Sequence, residues 1–347
     1  MESQPLPALR PLRLGELLDQ AIRLYRRNFV TFIGIIALVY VPLMVLQTAS
    51  TTLLGSSLAD IANSRTPEEI FSNYAYWGGM LATITIGFLQ FVFVQGIATG
   101  ALTRAVADNY LGKPTSILDA YRGIGRSWLT LVGALLFIIL VAFAIIIWWI
   151  VPCIGWFTGL GMLAFLGAAI SPMVAPVVVL EKRGIIESVR RAWLLVRRRF
   201  WPVLGTILVL YLFNVLIVNG PLAIVNAILS AVTPSFGDST AQLVITAIIQ
   251  AVVSVVFILI YYPLQMTAFT LIYFDLRVRT EGFDLALLTS SDAEQALSAP
   301  VEQARESLVT GSDLGNFAIL TLGALGLYIF LFAFIFGGFF FLSSLFS

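Results

Sequence analysis

Seven runs of continuously apolar residues dominate this chain, at 29–52, 76–105, 128–151, 154–180, 201–230, 241–274 and 317–342. A helix needs about 20 apolar residues to cross the hydrocarbon core of a bilayer, and every run is long enough. Of the 347 residues, 59% are apolar and 11% are charged. A water-surrounded globule of that composition could not dress its own surface. A soluble enzyme, a disulfide scaffold and a disordered regulator are therefore excluded. Barrel strands alternate apolar and polar residues, and these runs do not. The expected fold is all-α, a polytopic helical membrane protein of about seven spans. Pro42, Pro172, Pro176, Pro221 and Pro263 fall inside the runs, which membrane helices tolerate when neighbours satisfy the carbonyls set loose.

Arg10, Arg13, Arg23, Arg26 and Arg27 precede the first run. No cleavable leader is expected, so that run is a retained span. With the N-terminus in the cytoplasm, Arg65 alone of the basic residues falls in an outer loop, the asymmetry that sets topology. Seven spans then leave the C-terminus outside, and the expected location is a bacterial cytoplasmic (inner) membrane.

The chain also resembles itself. Residues 16–34 align without gaps on 187–205, matching Glu16 with Glu187, Ala21 with Ala192, Arg26 and Arg27 with Arg197 and Arg198, Phe29 with Phe200 and Gly34 with Gly205. A weaker copy at 118–133 supplies Ala120, Arg122, Arg126, Thr130 and Gly133. Each copy carries an apolar stripe at helical spacing. Leu14, Leu17, Leu18, Ala21, Ile22, Tyr25 and Phe29 form the first; Ile117, Leu118, Ala120, Tyr121, Ile124 and Trp128 the second; Ile185, Ile186, Val189, Ala192, Trp193, Val196 and Phe200 the third. Such helices are expected to lie in the bilayer plane, stripe in the acyl boundary and guanidiniums among phosphates. Self-similarity of this kind suggests one unit used three times, each an interfacial amphipathic helix followed by a transmembrane hairpin. The expected domains are a tail over 1–13, a six-span domain over 14–288 (units 14–110, 115–181 and 184–288), a flexible cytoplasmic linker over 289–315 and one further span over 316–347, expected to be peripheral and lipid-facing.

Three segments, RPLRLGELLDQAIRLYRRNF from Arg10, LEKRGIIESVRRAWLLVRRRFWPVLG from Leu180 and LIYFDLRVRTEGFDLALL from Leu271, resemble bacterial proteins of the glycerophosphoryl diester phosphodiesterase membrane-domain family. The resemblance spans roughly residues 10 to 288 and implies a multi-pass bacterial membrane protein. In fused relatives, a separate barrel with histidines and acidic metal ligands carries the phosphodiesterase activity. This chain has no histidine and no soluble stretch of about 250 residues for such a barrel, so no catalytic residue carries over.

The chemistry-bearing residues are few. Without histidine the usual general base and commonest metal ligand are missing. The lone Cys153 lies in the turn 150–156, without a base near it in sequence, and reads as a small apolar filler. No catalytic, cofactor-binding or metal-binding residue is expected, and no cofactor. Arg23, Arg26, Arg27, Arg122, Arg126, Arg190, Arg191, Arg197, Arg198 and Arg199 are candidates for contact with anionic lipid headgroups at the inner leaflet. Gln90, Gln95, Asn214, Asn219, Gln250 and Gln265 are either inter-helix packing amides or the lining of an intramembrane polar groove. Asp275, Arg277, Arg279, Glu281 and Asp284 read as an interfacial ion cluster ending the sixth run, with Gly282 as its stop. GxxxG at Gly96–Gly100 and Gly155–Gly159 permits close helix packing or dimerisation. Net charge is +1 and the stripe turns Trp193 and Trp201 towards lipid, so no nucleic-acid partner is expected. The leading reading is a non-enzymatic scaffold or accessory subunit of a membrane complex, with membrane lipids and a protein as partners. The alternative is a transporter or lipid-handling protein for a neutral or lipid-like substrate.

Overall fold

The computed structural model describes residues 10–62, 66–232, 239–289, 296–297 and 309–345. Within them the chain is helical and no strand occurs. A short helix α1 (Leu14–Arg27) leads into α2 (Phe29–Ala62). After α3 (Pro67–Phe71) the chain returns through α4 (Tyr74–Gln90), which passes by a π-helical stretch Phe91–Ala98 into α5 (Thr99–Tyr110). Then come α6 (Ile117–Ile124), α7 (Ser127–Trp148), α8 (Ile154–Phe165) and, after a second π stretch, α9 (Ser171–Glu181). The third passage is α10 (Ile185–Arg197), α11 (Phe200–Asn214), α12 (Gly220–Val232) and α13 (Ser239–Glu281). Two helices follow, α14 (Phe283–Thr289) and α15 (Gly311–Leu345). Seven of these helical runs are long and apolar enough to cross a membrane, and the protein is a multi-pass helical membrane protein. Most of the linker expected over 289–315 lies outside the described residues.

Local signals explain where the short helices start and stop. Glu16 reaches back to the backbone N–H of Arg13 (3.0 Å), closing the first turn of α1, while Arg26 and Arg27 sit in its last turn, where cations suit the helix dipole. Ser116 accepts from the Asp119 N–H and caps α6, and Gly125 (φ +53°) ends it. Gly282 (φ +64°) stops α13, as its composition suggests, because a residue without Cβ enters the left-handed region without strain.

The centre is made by α5, α9 and the second half of α13, which pack against one another. From Met173 to Glu181 every side chain is buried, as are Thr99–Thr103 and Thr267–Phe274. Around this trio, α6 packs on α5, α10 on α9 and α1 on α13. These contacts correct the expectation for the stripes. Leu17, Ala21 and Tyr25 in α1, Ala120 and Ile124 in α6, and Val189, Ala192 and Val196 in α10 are buried in protein instead of lipid. Only the stripe edges stay exposed, at Leu14, Ile22, Phe29, Leu118, Ile185 and Ile186. Two tyrosines fasten the arrangement: Tyr25 donates to the Ile260 carbonyl (2.8 Å) and Tyr121 to that of Ile35 (2.5 Å). Loss of hydration pushes both phenols up to about 12, so each remains a donor.

Glycines set how closely the short helices approach. A Cβ on Gly34 would lie 2.6 Å from Ile117 Cδ1, and one on Gly133 would lie 2.6 Å from Ile185 Cδ1. Those isoleucines begin α6 and α10. Gly205, the sequence match of both glycines, has nothing within 4 Å. Gly34→Ala and Gly133→Ala are expected to cost about 1–2 kcal/mol each as the isoleucine tip is displaced, and Gly205→Ala to cost nothing. Thermal unfolding midpoints in detergent check this; equal losses at all three sites would refute it.

Outside this centre α2 pairs with α4 and α13, and α15 with α8, while Val244, Ile248, Val252 and Val256 stay exposed. The GxxxG glycines pack within the chain. A Cβ on Gly96 would meet Val132 at 2.4 Å, and one on Gly155 the Trp148 carbonyl oxygen at 2.2 Å. Cys153 is exposed at a positive φ of 63°; it is the last residue of the turn before α8 and is not a packing filler.

Candidate functional site: the basic end of the bundle

The charged residues gather where α9, α10 and α13 end or begin. Glu181 closes α9 and accepts from Arg191 Nε (3.1 and 3.2 Å), Arg183 Nε (2.7 Å) and the Tyr273 hydroxyl (2.9 Å). Arg191 reaches on to Glu281 with Nη2 (2.7 Å), and Nη1 also contacts that carboxylate. Arg277 approaches Glu281 from one helical turn before it (3.1 Å) and donates to the Tyr273 hydroxyl and the Leu297 carbonyl, both at 3.2 Å. The Arg277 guanidinium lies 4.4 Å from the centre of the Phe283 ring. Arg191 and Arg277 are each 2% exposed. Two buried guanidiniums thus face two buried carboxylates, and Arg183, half-buried, adds a third cation on Glu181 from the rim. Burial alone would pull the Arg191 pKa down, but Glu281 and Glu181 outweigh it and leave it raised.

This geometry corrects two readings. Arg191 does not contact headgroups; it points inwards because α10 is buried on more than one face. The cluster ending the sixth run is not one interfacial group. Arg277 and Glu281 belong to the buried network, whereas Asp275 pairs with Arg279 (2.8 Å) and holds the Leu12 N–H (2.8 Å). Asp284 sits in the first turn of α14, the favourable end of that helix's dipole. Glu181 and Tyr273 escaped the sequence reading. A signal was there: a carboxylate directly after nine apolar or small residues, and Tyr273–Arg277–Glu281 at successive spacings of four.

Other candidate headgroup residues divide similarly. Arg23, Arg26, Arg27, Arg122, Arg126, Arg190 and Arg198 are exposed and Arg199 is half-buried. Arg197 pairs with Asp313 at the start of α15 (3.5 Å) and is largely covered, a second correction. A polar basin of about 820 Å³ lies over α1 and the end of α5, lined by Arg10, Arg23, Arg27, Glu16, Asp19 and Tyr110 among others. Opposite charges share its walls, and Glu16 already pairs with Arg10 (3.0 Å).

The six amides do not form one groove. Gln95 accepts from the Tyr262 hydroxyl (3.3 Å), whose oxygen also lies 2.7 Å from Thr99 Oγ1. Asn219 donates to Asn214 along its own helix (2.9 Å). Gln250 donates to Asn226 (2.8 Å) and lines a polar cleft of about 510 Å³ with Thr51, Gln242 and Thr246. Gln90 and Gln265 are half-buried on α4 and α13. Next to that cleft an apolar groove of about 550 Å³ runs between α2 and α13, bounded by Val45, Thr48, Val252 and Val256.

The last span packs on the bundle through its first turns. Phe317 is fully buried against Phe165, Trp193 and Phe200, so Trp193 faces protein instead of lipid. No group of three or more metal-ligating side chains occurs among the described residues. Comparison with known proteins finds no family model, no curated protein and no solved structure that matches this chain.

Proposed function

We propose that this chain is a non-enzymatic scaffold or accessory subunit of a bacterial cytoplasmic-membrane complex, with its N-terminus in the cytoplasm. The packed centre carries the reading. Where α5, α9 and α13 converge, Leu102, Met173, Val174 and Tyr273 are all but fully buried, and Arg191, Glu281 and Arg277 close the basic end. A substrate path along that axis would need to break this core. What the protein offers to other molecules is therefore its surface. The likeness to the phosphodiesterase membrane-domain family rests on the three quoted segments and agrees with a membrane role apart from catalysis. Affinity purification in mild detergent, paired with crosslinking in cells, is expected to recover a partner at fixed stoichiometry. Repeated recovery of the chain alone by both methods overturns the reading. Reporter fusions after Arg126 and Arg198 are expected to report cytoplasm; a periplasmic signal overturns the orientation.

One observation favours a second reading, lipid handling. The apolar groove between α2 and α13 opens sideways beside a polar cleft holding Gln250 and Asn226. Reconstituted protein that moves fluorescent lipid between leaflets faster than empty vesicles would favour it.

A further inference from the structure

The three passages close around the centre unequally. In the first two, the next short helix also packs on the opening span of the passage before it: α6 on α2 and α10 on α7. Each contact is sealed by an isoleucine on a glycine, Ile117 on Gly34 and Ile185 on Gly133. The third should be α1 on α11, with Leu14 meeting Gly205. Those helices make no comparable contact, and Gly205 faces open space. In place of the seal is a cleft of about 610 Å³.

Its lining is ordered along α11. Arg199, Pro202, Val203, Gly205, Thr206 and Val209 descend one wall, facing Leu14 and Leu17 of α1 and Ile272 and Leu276 of α13. From Arg199 to Val209 is about 15 Å at the rise of an α-helix, half of the roughly 30 Å hydrocarbon thickness. The cleft therefore has the depth of one leaflet. Its mouth carries Arg13, Arg199 and Arg279 against a single carboxylate, Asp275. Arg279 and Asp275 neutralise each other and pin Leu12, whose carbonyl accepts from Arg279 Nη2 (2.6 Å). The excess positive charge belongs to Arg13 and Arg199: neither forms an ion pair within 4 Å of a carboxylate among the described residues, and Glu16, which feels the charge of Arg13, is itself paired with Arg10.

We infer that this open seam holds one anionic glycerophospholipid, its phosphate between Arg13 and Arg199 and an acyl chain along Val203, Gly205 and Val209. An apolar trough one leaflet deep under two guanidiniums matches that molecule in shape and charge. The inference is independent of the scaffold reading: a lipid seated here serves a scaffold or a transporter equally.

Native mass spectrometry of the full chain in detergent tests it, titrating dioleoyl phosphatidylglycerol and dioleoyl phosphatidylcholine separately. Wild-type protein is expected to retain one phosphatidylglycerol in clear preference to phosphatidylcholine. Arg199→Gln is expected to cut that preference about fivefold, the worth of one basic residue beside an anionic surface. Gly205→Leu, which puts into the cleft the apolar plug its counterparts receive from isoleucine, is expected to abolish retention with an unchanged melting temperature. Millimolar inorganic phosphate should not displace the lipid; displacement would mean that the site reads phosphate alone. Equal retention of the two lipids, or retention unchanged in Gly205→Leu, overturns the proposal. So does a gain in lipid binding on removal of residues 1–9, which would make the chain's own N-terminal segment the occupant.

Discussion

Arg191→Met is expected to lower the stability of the purified protein by about 3–5 kcal/mol, the usual result of removing one partner from a buried ion pair. The guanidinium joins Glu181 to Glu281 across α9, α10 and α13. Without it two carboxylates remain in a site closed to water. Glu181 retains Tyr273 and Arg183, and Glu281 retains Arg277, but two positive charges no longer match two negative ones in the sealed part. Arg191→Lys is expected to fall between, since an ammonium cannot fork to both carboxylates as a planar guanidinium does. Adding Glu281→Gln to Arg191→Met should recover part of the loss by removing the uncompensated charge. Thermal unfolding in detergent reads all three variants. A loss below about 1 kcal/mol for Arg191→Met, or no recovery in the double variant, would show that water reaches the site and that the network does not hold the three helices.

Gly161→Ala is expected to displace the last span, at a cost near 3 kcal/mol, the upper end for overpacking. A Cβ at this position would lie 2.1 Å from the Phe317 carbonyl oxygen and 2.9 Å from Thr321 Oγ1. The first is backbone and has no rotamer to escape into. Thr321 Oγ1 also accepts from the Gly161 N–H (2.8 Å), so α8 and α15 touch main chain to side chain. Lipid tails are as apolar as the residues between helices, so association here depends on close packing and hydrogen bonds, and a single methyl can undo it. Trp193, which sits against Phe317, should change its fluorescence as the span leaves. Gly87→Ala serves as the control: its Cβ meets nothing within 4 Å, and the gain in helix propensity should leave the protein as stable or slightly more so. An unchanged melting temperature and unchanged Trp193 emission in Gly161→Ala would refute the docked arrangement.

The spans were legible because an apolar run of sufficient length has one stable outcome in lipid, a helix. Gly282 could be read as a stop for an equally local reason. The charged cluster was legible only in part. Arg277 and Glu281 stand out at the end of an apolar run, but nothing in their spacing says whether the surface beside them is water or another helix. Glu181 lies about a hundred residues before Glu281 in the chain, and Arg191, which bridges them, has the same sequence setting as the exposed Arg190. One position around a helix separates a residue sealed in the core from one in solvent. The amides show the same limit. Gln95 meets Tyr262 of α13 and Gln250 meets Asn226 of α12, whereas Asn214 is met by Asn219 of its own helical run.

Length and hydropathy alone determined that this protein spans a membrane seven times as helices, since lipid leaves a backbone no other way to satisfy its polar groups along such runs. The distribution of arginine along the chain marked which ends of those helices lie together. Only the tertiary structure decided that the short helices pack on the bundle, that Arg191 and Arg277 are sealed with Glu181 and Glu281, and that a cleft stays open at Gly205 between α1 and α11. The reason is physical. Hydropathy is a property of a segment and its solvent, whereas burial, ion pairing and an unfilled cleft are properties of two surfaces, and the second surface is distant in the chain.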